Sequence, residues 1–194
     1  MRGVEQIPWL YDLGMSAIEA TGLGRWRAWL VKGTEGRVLD VGCGTGRNLG
    51  LLLASDRPVG VDPCLSSLLA ARRRAPDARL VRARAEALPF RDGVFDTVLS
   101  GLVFCSVGDP PRGLREVRRV LRPGGGFRLL EHVRAEPAWQ AWLQDRVQPL
   151  WTWVTGGCRP NRETERTVEA AGFLVDPGSR RARGTMRRWV ARPR

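Results

Sequence analysis

The stretch Val38-Leu39-Asp40-Val41-Gly42-Cys43-Gly44-Thr45-Gly46-Arg47-Asn48 constrains this chain more than any other. An apolar run that reads as a strand leads into alternate glycines, and leucines at helical spacing follow. Glycine lets the backbone turn sharply and lets a ligand approach without meeting a Cβ. Strand, glycine turn and helix in that order build the nucleotide-type sites of parallel α/β sheets.

The details select among such sites. The spacing is GxGxG, and Arg47 stands where a dinucleotide fingerprint carries its last glycine. Asp40 lies just ahead of Gly42, where its carboxylate would repel a pyrophosphate. A ligand with ammonium and sulfonium centres meets no such repulsion. Asp62 closes the next strand-like run and is placed to take ribose hydroxyls.

Beyond the turn, strand-like and helix-like segments alternate, which predicts an α/β, Rossmann-like fold: a seven-stranded, mostly parallel sheet with helices on both faces. Strands are expected at 37–41, 58–62, 78–82, 94–100, 127–133, 173–175 and 186–191. A helix is expected at 46–54 with Leu49, Leu52 and Leu53 on one face, and another at 65–74 with Leu65, Leu68 and Leu69 inward. Asp109 is expected to cap a helix whose first turn holds Pro110 and Pro111. Its apolar stripe is Leu114, Val117, Val120 and Leu121, and Pro123-Gly124-Gly125-Gly126 ends it. Residues 137–154 read as a helix pair or one helix kinked at Pro149. Asn161 is expected to cap a last helix that stops at Gly172.

The length of 194 residues suits one domain, 1–194. Within it, 1–32 reads as a helical cap, broken by Gly14, Gly22 and Gly24, that either packs on the sheet or forms a lid. Residues 37–133 read as the cofactor-binding core, and 134–194 as acceptor-side helices and the last strands. The formal charge is +12, and 31 of the 32 basic residues are arginine. That bias is either compositional or a sign of an acidic partner, nucleic acid or anionic membrane. Four cysteines without CxxC spacing and a single histidine argue against a zinc site and for thiols in a reducing compartment. No signal-peptide pattern and no long apolar run is present, so a cytoplasmic chain without a transmembrane segment is expected.

Four motifs in order resemble the class I S-adenosylmethionine-dependent methyltransferases: VLDVGCGTG, VGVDP, the AEALPF…FD stretch from Ala85 to Asp96, and Leu121-Arg122-Pro123-Gly124-Gly125. A narrower likeness, in Leu102 to Val107, Glu131-His132-Val133 and Gln148 to Thr164, is to the small "methyltransferase domain 11" branch with its membrane-associated thiol and its phospholipid or quinone methyltransferases. The resemblance implies S-adenosylmethionine as cofactor, S-adenosylhomocysteine as product and no metal. It implies that the turn Gly42, Cys43, Gly44, Thr45 and Gly46 holds the methionine part, with Asp40 near its ammonium. Asp62 and Pro63 fall at the ribose, Ala85 and Glu86 at the adenine edge, and Gly101 and Leu102 near the methyl group. Arg84 stands where many relatives place an acid toward adenine.

His132, expected at the carboxyl end of strand five, is a candidate base for a protonated acceptor. Trp139, Trp142 and Trp151, with Leu143 and Leu150, are either core or the wall of an apolar acceptor pocket. The expected acceptor is a small, hydrophobic or lipid-like molecule, and peripheral membrane contact fits the absence of a spanning helix. Three other readings compete. An RNA methyltransferase fits the charge, but Ser100-Gly101-Leu102-Val103 replaces the Asn/Asp-Pro-Pro-aromatic loop of exocyclic-amine nucleic-acid methyltransferases. A cofactor-binding module could act through a protein partner. A nicotinamide dehydrogenase is disfavoured by the GxGxG spacing.

Overall fold

In the computed structural model, Gly3, residues 7–52 and residues 58–194 are described. The strands are β1 (Val38–Val41), β2 (Val59–Asp62), β3 (Arg79–Arg82), β4 (Phe95–Gly101), β5 (Leu121–His132), β6 (Phe173–Val175), β7 (Arg181–Arg183) and β8 (Met186–Pro193). The helices are α1 (Pro8–Ile18), α2 (Gly24–Lys32), α3 (Leu65–Arg74), α4 (Pro110–Val120), α5 (Ala138–Thr155) and α6 (Thr164–Ala170).

The sheet order is β3-β2-β1-β4-β5-β8-β6, with the short β7 paired to β8 as an eighth strand that the periodicity did not announce. β1 to β5 run parallel, while β8 lies antiparallel to both β5 and β6. From β1 the chain moves outward to β2 and β3, then crosses to β4 on the other side of β1. That reversal opens a crevice at the carboxyl ends of β1 and β4, where ligands of open α/β sheets bind.

Strand alternation divides the apolar side chains between two faces. Leu39, Val41, Val98, Phe127 and Leu129 pack in one buried cluster with Leu114, Val117 and Val120 of α4 and Val168 of α6. Val38, Leu99 and Leu130 pack on the opposite side with Leu30 and Val31 of α2 and Met15 of α1. Each fully buried Val or Leu contributes roughly 1.5–3 kcal/mol of transfer free energy. Asp109 caps α4 as expected, accepting from the amide of Arg112 at 3.0 Å.

Several local expectations give way. The helix placed at 46–54 is only a 3-10 turn, Leu49–Leu51, after a turn in which Gly46 is left-handed at φ +80°. Leu52 is extended, and Leu53 and Ala54 lie outside the described residues. Leu65 and Leu69 of α3 are exposed, and the helix packs through Ser67, Leu68, Ala70 and Ala71, because small side chains allow the closer approach. Gly14 sits inside α1, whereas Gly22, left-handed at φ +118°, makes the break between α1 and α2. α4 ends at Val120, before the Pro-Gly run, which falls inside an irregular start of β5. Glu163 rather than Asn161 occupies the N-cap of α6, since the Asn161 amide donates to Asp145 at 2.9 Å instead.

α5 is one 18-residue helix with Pro149 inside it. Its only buried residue is Ala141, so the aromatic stripe is not core. Trp139, Trp142, Trp153 and Leu150 stand in solvent.

Candidate active site

A cavity of about 730 Å³ opens at the carboxyl ends of the parallel strands. Gly42, Gly44 and Thr45 after β1, Asp62 and Pro63 after β2, and Ala83 to Glu86 after β3 form one part of its wall. Gly101 and Leu102 from β4 and His132 from β5 form another, joined by Trp151 of α5, Cys158 and Met186. Tyr11, Met15 and Ile18 of α1 and Leu23 complete it. In the N-terminal segment α2 packs on the sheet and α1 lines the cavity.

The glycine turn is built for close approach. Gly42 and Gly44 have φ of +63° and +53°. A Cβ on Gly42 would stand 2.5 Å from the Val103 side chain, whereas one on Gly44 would meet nothing within 4 Å. Asp62 organises the turn with both carboxylate oxygens: Oδ2 accepts from the Gly44 amide at 3.0 Å and Oδ1 from the Cys64 amide at 2.8 Å. Burial raises the Asp62 pKa, partly offset by those two amides.

Three sequence-selected residues lie away from the cavity wall. Cys43 is buried against Leu49 and Leu68, and its thiol is pushed well up by burial. Gly46 brings the turn onto α3, where a Cβ would meet Ala71 at 3.0 Å. Asp40 shares the strand face of Val38, so it points toward α2 and is fully buried. Its Oδ1 accepts from the Asn48 amide group at 2.9 Å, and Asn48 Oδ1 accepts from Arg27 at 2.5 Å. Burial raises the Asp40 carboxyl to about 7, against the Asn48 hydrogen bond and the Arg27 charge. Asp40 Oδ2 is buried without a hydrogen-bond partner among the described residues, which is the acceptor an ammonium group would satisfy.

A charged clasp holds α1 over the turn. Asp12 accepts from Thr45 Oγ1 at 2.7 Å, Arg47 at 3.1 Å and Arg74 at 2.9 Å. Glu19 pairs with Arg47 and, at 2.6 Å, with Arg27. Arg27, Arg47 and Arg74 are thus paired with acids inside the molecule. Arg128 extends the pattern, closing the end of α2 through the Leu30 and Trp29 carbonyls at 2.7 and 2.5 Å.

The loop after β4 is the most constrained part of the wall. Leu102 is the only non-glycine residue with positive φ, +64°, among the described residues, a strained conformation of the kind found at ligand sites. Beneath it Glu131 is fully buried, accepting from Ser100 Oγ at 2.6 Å and from the Val103 and Phe104 amides at 3.3 Å. Burial lifts the Glu131 carboxyl to about 7 against those hydrogen bonds. Glu86 lines the cavity and also accepts from the Gly108 and Asp109 amides at 3.0 and 3.2 Å, tying the loop after β3 to the start of α4.

Of the selected tryptophans, only Trp151 reaches the cavity. Trp139 is 66% exposed, and Trp142 lies under Arg146 at 4.8 Å on another part of the surface. At 3.6 residues per turn the three do not share one narrow face. The sequence reading also passed over Cys105 and Cys158, which line the cavity beside His132. Their only prior signal was membership in the segments that carry the narrower resemblance.

Comparison with known proteins agrees with this geometry. Residues 39–129 match the family model described as a methyltransferase domain. Human thiol S-methyltransferase TMT1A is 39% identical over 144 residues, covering 70% of this chain and 59% of the relative. A demethylmenaquinone methyltransferase of Renibacterium salmoninarum is 34% identical, covering 62% of this chain and 53% of the relative. The chain thus spans less than two thirds of the length of these curated relatives. The solved structure of an S-adenosylmethionine-dependent methyltransferase from Thermotoga maritima shares the fold, with a TM-score of 0.68, 22% identity and 87% coverage of each chain. Residues 39–129, which carry the glycine turn, Asp62 and the crevice at β1 and β4, are thus a methyltransferase domain, similar to the S-adenosylmethionine-dependent methyltransferases.

Proposed function

We propose that the chain transfers the methyl group of S-adenosylmethionine to a small, apolar acceptor, with a thiol as the first candidate. The observation that carries this reading is the composition of one continuous cavity. The glycine turn, Asp62 and the Ala85–Glu86 edge suit an adenosyl group, and Leu102, Trp151 and Met186 offer an apolar surface to a second molecule. The thiol and quinone methyltransferases among the relatives support a small acceptor.

When bound, the sulfonium cofactor supplies an already activated methyl carbon. The chain's own residues then have to orient the acceptor and exclude water, and orientation alone is worth on the order of 7–11 kcal/mol in the best model reactions. Gly42 and Gly44 let the backbone come close to the methionine part, Asp62 takes the ribose hydroxyls, and the unpartnered oxygen of Asp40 supports a nearby ammonium. His132 is the candidate base toward a protonated acceptor. In this reading the domain covers 1–194, with 1–32 as cap, 37–133 as cofactor core and 134–194 on the acceptor side.

No described helix is long and apolar enough to cross a membrane. The exposed tryptophans of α5 support peripheral contact with a lipid-like surface, and four cysteines without a disulfide support a reducing, cytoplasmic setting. Titration calorimetry with S-adenosylhomocysteine and with NAD, followed by turnover on apolar thiols and on RNA, tests the whole reading. Binding of the adenosyl ligand alone and methylation of the thiol are expected. Heat from NAD, or steeply salt-dependent RNA methylation, overturns it. Unchanged turnover and affinity in His132→Ala removes the base role.

A further inference from the structure

Cys105 follows β4 and Cys158 follows α5, yet both line the same cavity. Their backbones are stitched together, with the Arg159 amide donating to the Cys105 carbonyl at 2.9 Å. The turn carrying Cys158 is pinned as well: Thr152 Oγ1 donates to its carbonyl at 2.8 Å, and its amide donates to Thr155 Oγ1 at 3.2 Å. Cys158 shares the cavity wall with Cys105, His132 and Trp151. Both cysteines are nearly closed to bulk solvent, at 2% and 6% exposure. A reagent must therefore be small enough to enter the cavity to reach them.

Their surroundings are not those of inert core thiols. Cys43, in its apolar cluster, has its thiol pushed far up by burial. Cys158 goes the other way, held below the ordinary thiol range by Cys105 first, against burial, then by His132 and Trp151. The Arg162 guanidinium lies close enough to feel both sulfurs. A thiol whose charged form is favoured, with a second thiol on the same cavity wall, is the arrangement of a nucleophilic and a resolving cysteine.

We propose that Cys158 and Cys105 form a dithiol site that reacts with small disulfides by thiol–disulfide exchange. The Cys158 thiolate attacks one sulfur of RS–SR, the S–S bond breaks, and RS⁻ leaves and takes a proton from solvent. Cys105 then loses its proton to solvent in the cavity and attacks Cys158 Sγ in the mixed disulfide. A Cys105–Cys158 disulfide forms and the second RS⁻ departs, taking up a proton from solvent. In sum, one disulfide becomes two RSH while two cysteines become one cystine, so electrons and protons balance. With the two backbones already joined by the Arg159–Cys105 hydrogen bond, the sulfurs have to close to a bond length of about 2.05 Å. A second small thiol reverses the reaction and restores the pair. Where the methyl-transfer reading also holds, the released thiols appear in the cavity that would methylate them.

The test uses 5,5′-dithiobis(2-nitrobenzoate) on the full chain, without methyl donor, so it stands or falls apart from the methyl-transfer reading. All proteins carry Cys64→Ser, which removes the half-buried thiol near Asp62. The expected result is rapid release of two chromophores per chain, with no adduct and a cystine linking 105 to 158 by peptide mass mapping. Adding Cys105→Ser should give one chromophore and a stable adduct on Cys158. Adding Cys158→Ser should slow the rapid phase at least about tenfold. Circular dichroism melts confirm that the Ser variants are folded. Rapid release that survives Cys158→Ser, or an adduct retained on the chain with both cysteines, overturns the proposal.

Discussion

The Ser100 hydroxyl donates to the Glu131 carboxylate at 2.6 Å, joining the carboxyl ends of β4 and β5 beneath the strained Leu102. That carboxylate is fully buried and its second oxygen has no hydrogen-bond partner among the described residues, so charging it is costly.

Stability should therefore fall as pH rises into the neutral range. Burial holds Glu131 and Asp40 near 7 in the folded chain, well above the ordinary carboxylate range. Between those limits the folded state binds more protons than the unfolded state, so the unfolding free energy declines until both groups have ionised. Glu131→Gln keeps an acceptor for Ser100 and removes the charge. It should be on the order of 2 kcal/mol more stable than the parent near pH 8 and indistinguishable near pH 4. Urea melts across that range check both the slope and its loss.

The α1 clasp has the opposite sign. Burial acts to raise the Asp12 carboxyl, but hydrogen bonds from Arg74, Thr45 and Arg47 together leave it lowered. Glu19 is lowered as well, with burial opposed by Arg47 and Arg27. Their contribution is present above the unfolded carboxylate range and is lost as pH falls through the depressed folded values. Asp12→Asn should speed hydrogen exchange across α1 and weaken S-adenosylhomocysteine binding by about fivefold, while the global melt changes little. Unchanged exchange in α1 would show that the apolar contacts alone hold it.

At Gly42 two separate penalties add. A methyl group there meets Val103 at 2.5 Å, and φ of +63° disfavours any side chain. Gly42→Ala should cost about 1–3 kcal/mol and abolish measurable adenosyl binding. Adding Val103→Ala relieves the clash but not the backbone strain, so thermal stability should recover only in part. Full recovery would mean that the dihedral preference is minor.

Trp151 and Trp139 belong to the same helix but differ in consequence. Only Trp151 lines the cavity. Trp151→Ala should change the ranking of apolar acceptors, with a loss of roughly tenfold for the bulkiest from lost apolar contact. Trp139→Ala should leave that ranking intact. A shared effect on selectivity would place the acceptor outside the cavity.

Much of this was legible in the chain itself, for local reasons. Val38 to Asn48, Asp62 and the Asp109 cap announce themselves through turn chemistry and strand patterning, and the carboxyl-end crevice follows from strand order. The failures lie where local preference is overruled. Leucines at 49, 52 and 53 suggest a helix, but the left-handed Gly46 precedes them. The tryptophans of α5 suggest a core or a pocket, but Trp139 and Trp142 face solvent. Long-range pairings leave no local trace at all: Asp40 with Asn48 and Arg27, Asp12 with Arg74, and Cys105 with Cys158 come from segments with no shared period.

The placement of β8 governs the order in which the molecule can be completed. It is made after β6 yet lies between β5 and β6, so β6 has no neighbour until β8 arrives. A nascent chain that has reached Val175 carries the long β5 with one side open, a template for joining another molecule. Met186, at the start of that late strand, also supplies part of the cavity wall. Closure of the sheet and completion of the binding chamber are thus the same event during synthesis, and chains stalled before it are the ones prone to clump.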